Sequence, residues 1–140
     1  MAILVTGGSG YIGSQLIRDL SKEFPGETIR ILDSMMREKY VSLWNLDGKF
    51  EFIEGDIRND DILKRAFQDV NIVFDLVGIT NAPISFDRKD LTMDVNVNGV
   101  KKILDFVLKN DAKYVYSSTA SVYGNTDGKI VDEESDCNPQ

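Results

Sequence analysis

Val5-Thr6-Gly7-Gly8-Ser9-Gly10-Tyr11-Ile12-Gly13 is the stretch whose reading decides the fold of this chain. Ahead of the glycines stands Ile3-Leu4-Val5, an apolar run long enough for one buried strand. Behind them Ile12, Leu16, Ile17 and Leu20 recur at helical spacing and mark one face of a helix. The glycines therefore lie where a strand turns into a helix. Free backbone N–H groups and the positive end of the helix dipole converge at such a point, which suits a phosphate. Side chains would obstruct it, because a Cβ bars unusual dihedrals, close approach of an anion and tight helix–strand packing.

Taken as Gly8-x-Gly10-x-x-Gly13, the run fits the dinucleotide fingerprint. That fingerprint requires a strand before, a helix after and an acidic residue about 20 positions on. Asp33 closes the next apolar run, Ile29 to Leu32, and stands 20 positions after Gly13. A carboxylate there can accept both hydroxyls of an adenosine ribose and repels a 2′-phosphate, which points to NAD as the cofactor. The plainer alternatives are a glycine turn that binds nothing and a solvated acid at a strand end.

The 140 residues suit one domain with a core of its own. Sixteen basic against 23 acidic residues leave a net charge of −7, which argues against nucleic acid and anionic membranes as partners. An anionic ligand must then be held by local groups. Cys137 is the only cysteine and the chain has no histidine, so neither an activated thiol nor a zinc site is expected. No basic segment leads into an apolar one at the N-terminus, and no apolar run reaches membrane length; the expectation is a cytoplasmic protein.

Further along, Phe24-Pro25-Gly26 breaks the first helix and residues 29–32 form a second strand. Residues 35–46 are mixed and suggest a short helix; residues 50–53 form a third strand. Asn59, Asp60 and Asp61 start a helix striped by Ile62, Leu63, Ala66, Phe67 and Val70. A fourth strand spans 72–77, a loop 78–90 and a long helix 91–109, with Val100, Ile103, Leu104, Val107 and Leu108 on its buried side. Gly99 inside that helix hints at close packing. Residues 113–117 form a fifth strand, and 124–140 show no period. Strands alternating with helices imply right-handed crossovers and a parallel sheet. The expected fold is an α/β, Rossmann-type, doubly wound sheet of order 3-2-1-4-5 in three αβα layers. Its ligand should lie at the carboxyl ends of the strands, between strands one and four.

These residues resemble, in register over the whole chain, the extended short-chain dehydrogenases/reductases, best known as nucleotide-sugar epimerases and dehydratases. The resemblance rests on Thr6-Gly7-Gly8-Ser9-Gly10-Tyr11-Ile12-Gly13, Asp33, Gly55-Asp56-Ile57-Arg58, Asn96-Val97-Asn98-Gly99 and Ser117-Ser118-Thr119-Ala120-Ser121-Val122-Tyr123-Gly124. It implies cofactor contacts from Gly7, Gly10, Tyr11, Ile12, Gly13 and Asp33. Asp56 would meet the adenine amino group, with Ile57 on the ring. Leu76, Val77 and Gly78 would line the nicotinamide ribose; Asn96 and Ser117 would stand near the cofactor, and Thr119 would be catalytic. The residues alone leave other roles open: helix capping for Asp56, a bridge between loops for a buried Asn96, and a turn or cap for Thr119. Tyr123 reads as packing.

Two departures matter. Asp75 stands where the family usually has a histidine, and an acid near cofactor phosphates is repelled unless hydrogen-bonded or turned away. No tyrosine here has a lysine four positions later, so the family's catalytic Tyr-x-x-x-Lys is expected beyond residue 140. Residues 1–140 then read as the NAD-binding domain of a longer nucleotide-sugar epimerase, inactive alone; were they the whole protein, the fifth strand would be an exposed edge that invites aggregation or a homodimer. Ala120 and Ser121 replace the acids that the resemblance implies for dehydratases. A related dehydratase or keto-reductase, or a dinucleotide-binding sensor without catalysis, is the alternative.

Overall fold

The computed structural model describes residues 1–139, apart from the side chains of residues 82 and 84. Strands β1 (Ala2–Thr6), β2 (Thr28–Asp33), β3 (Lys49–Glu54), β4 (Val70–Asp75) and β5 (Lys113–Tyr116) are joined by helices, except that β2 and β3 are linked through a single 3-10 turn. The helices are α1 (Tyr11–Glu23), α2 (Asp60–Ala66), α3 (Ala82–Asp87), α4 (Lys89–Met93) and α5 (Val100–Lys109). The strands make one sheet of order β3-β2-β1-β4-β5, parallel throughout. This is the Rossmann-type, doubly wound arrangement.

Central β1 is buried at every residue. Strand side chains alternate between faces, so Ile3 and Val5 join Ile29 and Ile31 of β2 under Ile17 and Leu20 of α1. Ala2 and Leu4 join Leu32 and Val73 on the other face, beneath Leu63 and Ala66 of α2 and Ile103 and Val107 of α5. Three layers result. Arg30, in the middle of β2 and only 7% exposed, donates from Nε to Glu51 Oε2 at 2.8 Å and from Nη1 to the carbonyls of Ala66 and Gln68. A cation thereby satisfies the carbonyls left open at the end of α2. The start of α2 is capped by Asn59, whose Oδ1 accepts N–H groups from Asp61 (2.9 Å) and Ile62 (3.4 Å).

Several boundaries differ from the sequence reading. Residues 78–90 hold α3 and the start of α4, and the expected helix 91–109 is interrupted by a π-helical turn, Asp94–Gly99. Gly99 lies against Ile57: a Cβ there would stand 2.5 Å from Ile57 Cδ1. The mixed segment contains one 3-10 turn, Tyr40–Leu43. It is held to α1 by Arg18, which donates to the carbonyls of Ser42 and Trp44, both at 3.0 Å. Val70 begins β4 instead of ending α2, and β4 ends at Asp75, two residues early. Asp75 Oδ1 accepts the N–H of Val77 at 3.3 Å, and the chain leaves the sheet there.

Two helix faces are also narrower than their sequence stripes. On α1 the buried residues are Gly13, Ile17 and Leu20, while Ile12 is 61% exposed. On α5 only Ile103 and Val107 are buried, whereas Leu108 is 78% exposed. Residues one position further on rotate by about 100° and leave the sheet. Ile103→Ala is therefore predicted to cost ~2–4 kcal/mol by opening a cavity, and Leu108→Ala less than ~0.5 kcal/mol; thermal unfolding followed by circular dichroism measures both. A second pair tests the packing of α1. A Cβ on Gly13 would meet Gly7 O at 2.7 Å and Gly8 Cα at 2.8 Å, both backbone, while one on Gly10 would meet only Gly7 O at 3.1 Å. Gly13→Ala should lose ~2 kcal/mol or more despite alanine's higher helix propensity. Gly10→Ala should lose about 1 kcal/mol, as a cap residue does.

Candidate functional site

In a parallel sheet all carboxyl ends share one edge. Gly7 follows β1, Asp33 closes β2, Asp56 follows β3, Leu76 to Gly78 follow β4, and Ser117 and Thr119 follow β5. The residues singled out in the sequence are thus brought to one rim of the sheet, with Asn96 added from the π-helical turn.

The glycine turn is built by close backbone approach. Gly7 adopts φ +67°, its N–H donates to Leu32 O at 2.8 Å, and a Cβ on it would lie 2.8 Å from Leu76 O. Gly10 is the N-cap of α1 and supplies no side-chain cap; the first turn carries no acid. The helical bond to Gly10 O comes from Ser14 N–H at 2.9 Å, so the N–H groups of Tyr11, Ile12 and Gly13 precede the regular ladder. The side chain of Tyr11, 90% exposed, turns outward as that of Ile12 does. What this end of α1 offers an incoming group is backbone donors and a partial positive charge, the requirements of a phosphate.

Asp33 is engaged with that turn. Its Oδ2 accepts Ser9 N–H at 3.0 Å and Ser9 Oγ–H at 2.6 Å, and its Oδ1 accepts Met35 N–H at 2.9 Å. A carboxylate has about four acceptor positions, so one stays open; binding both hydroxyls of a ribose requires Ser9 Oγ to turn away. Ser9, buried and bonded to the acid, was not read from the sequence as part of the site.

Asp56 does not cap α2, since Asn59 does. It is gripped by Arg58, whose main-chain N–H and Nε–H both reach Oδ1 at 2.9 Å and whose Nη2–H reaches Oδ2 at 2.7 Å. Nη1 of the same guanidinium donates to Asp94 Oδ2 at 2.8 Å. These bonds hold the Asp56 carboxyl below the usual range against the opposing pull of partial burial. They do the same for Asp94, with help from Asn98, and raise Arg58 in turn. Beside them Lys102 Nζ donates to Arg58 O at 2.8 Å and Asp60 Oδ1 at 2.7 Å.

At the end of β4, Asp75 is fully buried. Its Oδ1 accepts Thr6 Oγ–H at 2.6 Å and its Oδ2 accepts Tyr114 OH at 2.7 Å. Burial, and then the carboxylate beside it, raises the Tyr114 hydroxyl above its ordinary range. The acid expected to trouble a phosphate is therefore turned inward and hydrogen-bonded. Leu76 N–H donates to Thr6 O at 3.1 Å. Asn96 is half-buried rather than buried. It accepts Ile79 N–H on Oδ1 at 2.8 Å and donates from Nδ2 to Ile79 O at 3.0 Å, a bridge from the π-helical turn to the loop after β4.

Ser117 N–H donates to Asp75 O at 3.4 Å. Thr119 is exposed and caps a 3-10 turn, Ala120–Tyr123, by accepting Ser121 N–H at 3.2 Å. The cap role is real, and the hydroxyl proton remains free to donate outward. Tyr123 is half-buried, in keeping with packing. Among the described residues no group of three or more His, Cys, Asp or Glu side chains could hold a metal ion, and no helix is long and apolar enough to cross a membrane.

Known proteins resemble the chain over its length. It is 30% identical to UDP-glucose 4-epimerase of Lactobacillus helveticus over 99% of its residues and 42% of that protein. It is 32% identical to dTDP-D-glucose 4,6-dehydratase of Homo sapiens over 98% of its residues and 41% of that protein. The crystal structure of UDP-glucose-4-epimerase from Stenotrophomonas maltophila, with bound NAD and formylated UDP-arabinopyranose, superposes with a TM-score of 0.85. That structure is 26% identical, over 99% of this chain and 43% of the other. The chain thus spans less than half the length of these relatives. The sequence profile of the NAD dependent epimerase/dehydratase family matches residues 3–140. Glycine turn, strand-end acid, sheet order and profile agree, and the chain belongs to the NAD-dependent epimerase/dehydratase family.

Proposed function

We propose that residues 1–140 are the NAD-binding domain of a nucleotide-sugar epimerase. The observation that carries this reading is the uncapped, acid-free start of α1 on the glycine turn, with Asp33 bonded to Ser9 beside it. The N–H groups of Tyr11, Ile12 and Gly13 would receive the pyrophosphate, close approach being secured by Gly7 and Gly10. Asp33 would take a ribose hydroxyl and exclude a 2′-phosphate. Asp56 and Ile57 would meet the adenine, and Leu76, Val77 and Gly78, braced by Asn96, the other ribose.

NAD, when bound, supplies a reversible hydride acceptor, so that a sugar hydroxyl can pass through a ketone and return with inverted configuration. Thr119 would donate a hydrogen bond to that sugar hydroxyl. The proton would pass to the tyrosine of a Tyr-x-x-x-Lys outside residues 1–140, as the family resemblance implies. Epimerisation is favoured over dehydration because Ala120 and Ser121 offer no acid beside Thr119 for an elimination.

Calorimetric titration with NAD and NADP tests the reading. Saturable NAD binding is expected, with NADP weaker, and Asp33→Asn should lose about tenfold or more in NAD affinity, the worth of a hydrogen bond to a charged acceptor. A folded chain that binds neither nucleotide, or prefers NADP, would overturn it.

A further inference from the structure

We propose that Arg58 is a positioning residue for adenine recognition: it aims the Asp56 carboxylate so that one acceptor position is left for an exocyclic amino group. The proposal rests on the NAD reading above and adds to it the residue that sets base specificity.

Three donors of one residue fall on Asp56, the main-chain N–H and Nε–H on Oδ1 and Nη2–H on Oδ2. The guanidinium is planar and its donors have fixed directions, so this grip orients the plane of the carboxylate as well as its place. Of about four acceptor positions three are filled, and the one left is on Oδ2. A single open acceptor matches a single N–H. An oxo group presented there would meet a lone pair and a negative charge.

Arg58 is itself held from two sides. Its Nη1 donates to Asp94 Oδ2 at 2.8 Å, and its carbonyl accepts Lys102 Nζ at 2.8 Å. Asp94 starts the π-helical turn that ends in Gly99, against which Ile57 packs. The acid expected on the edge of the base and the residue expected on its face are therefore referenced to the same turn. Asp56, Arg58, Asn59 and Asp94 line one open hollow at the rim of the sheet. A loop tie alone would need only the bond from Arg58 to Asp94. The main-chain bond to Asp56 closes an Asx turn, but the two guanidinium bonds to Asp56 add nothing to that tie and serve to fix the plane of its carboxylate.

The test compares NAD with nicotinamide hypoxanthine dinucleotide, in which an oxo group replaces the adenine amino group. Affinities of both are measured by calorimetry for the unaltered chain and for Arg58→Met, Arg58→Lys and Asp56→Asn, each shown folded by circular dichroism. The ratio of the two affinities is the readout, because a purely structural loss weakens both ligands alike. In the unaltered chain NAD should be favoured by about tenfold or more. Arg58→Met should bring the ratio close to one. Arg58→Lys, which keeps the charge without the fork, should fall between, and it is the variant to read if Arg58→Met does not fold. Asp56→Asn should also lose the preference. A retained preference in the Arg58 variants, with Asp56→Asn losing it, would overturn the role of Arg58 and leave the adenine contact of Asp56 standing. A preference retained in Asp56→Asn would overturn that contact and the proposal together. NAD binding as such is judged separately by the titration of the unaltered chain.

Discussion

Backbone packed directly on backbone is the constraint on which this molecule depends. Gly13, in the first turn of α1, lies against the carbonyl of Gly7 and the Cα of Gly8 with no room for a Cβ. That contact sets how closely α1 approaches the end of β1, and so where its free N–H groups stand. It also lets Ile17 and Leu20 reach the sheet between Ile3, Val5, Ile29 and Ile31. The same few atoms therefore fix one half of the core and the direction of the helix dipole. Ser9 carries this further, since it takes the Asp33 carboxylate on both its N–H and its hydroxyl.

A chain of net charge −7 gathers acids at the rim where an anionic ligand would bind. Their local pairing makes this tolerable. Asp56 and Asp94 share Arg58, Asp60 has Lys102, and Asp33 accepts uncharged donors. The end of α1 holds no acid at all in its first turn. Charges paired at contact distance have little field beyond a Debye length of about 8 Å, so the dipole and N–H groups of α1 act locally, without support from the overall charge.

The sheet order, the layers and the residues at the strand ends were legible because they follow from period and punctuation. Central strands read as apolar runs, interrupted in β2 by Arg30 alone, and Gly, Pro and Asn mark where they stop. Helix faces were less so. Five apolar positions on α5 satisfy helical spacing, yet a flat sheet touches only a narrow stripe, and Leu108 falls outside it. The π-helical turn was hidden because it depends on contacts distant in sequence, Gly99 with Ile57 and Asn96 with Ile79. Ser9, Arg30 and Arg58 were missed for a related reason. Each is a polar residue whose partner lies on another element or closes a local ring, which no periodicity records.

Asp75 shows how far a residue type can mislead without its direction. An acid at the end of β4 invites the thought of repulsion from a phosphate, and so of a site that has lost its chemistry. The side chain instead points into the core, where hydroxyls from β1 and β5 and the N–H of Val77 meet it. A buried carboxylate costs several kcal/mol unless its lone pairs are filled, and these three donors come from three separate places: Thr6, Tyr114 and Val77. Satisfying it ties the ends of β1 and β4 to Tyr114 of β5, beneath the turns after β1 and β4. Thr6 immediately precedes Gly7, and Asp75 immediately precedes Leu76. Asp75 thus bears on the site through the backbone it holds, not through charge presented to a ligand, and it gives no support to a site emptied of function.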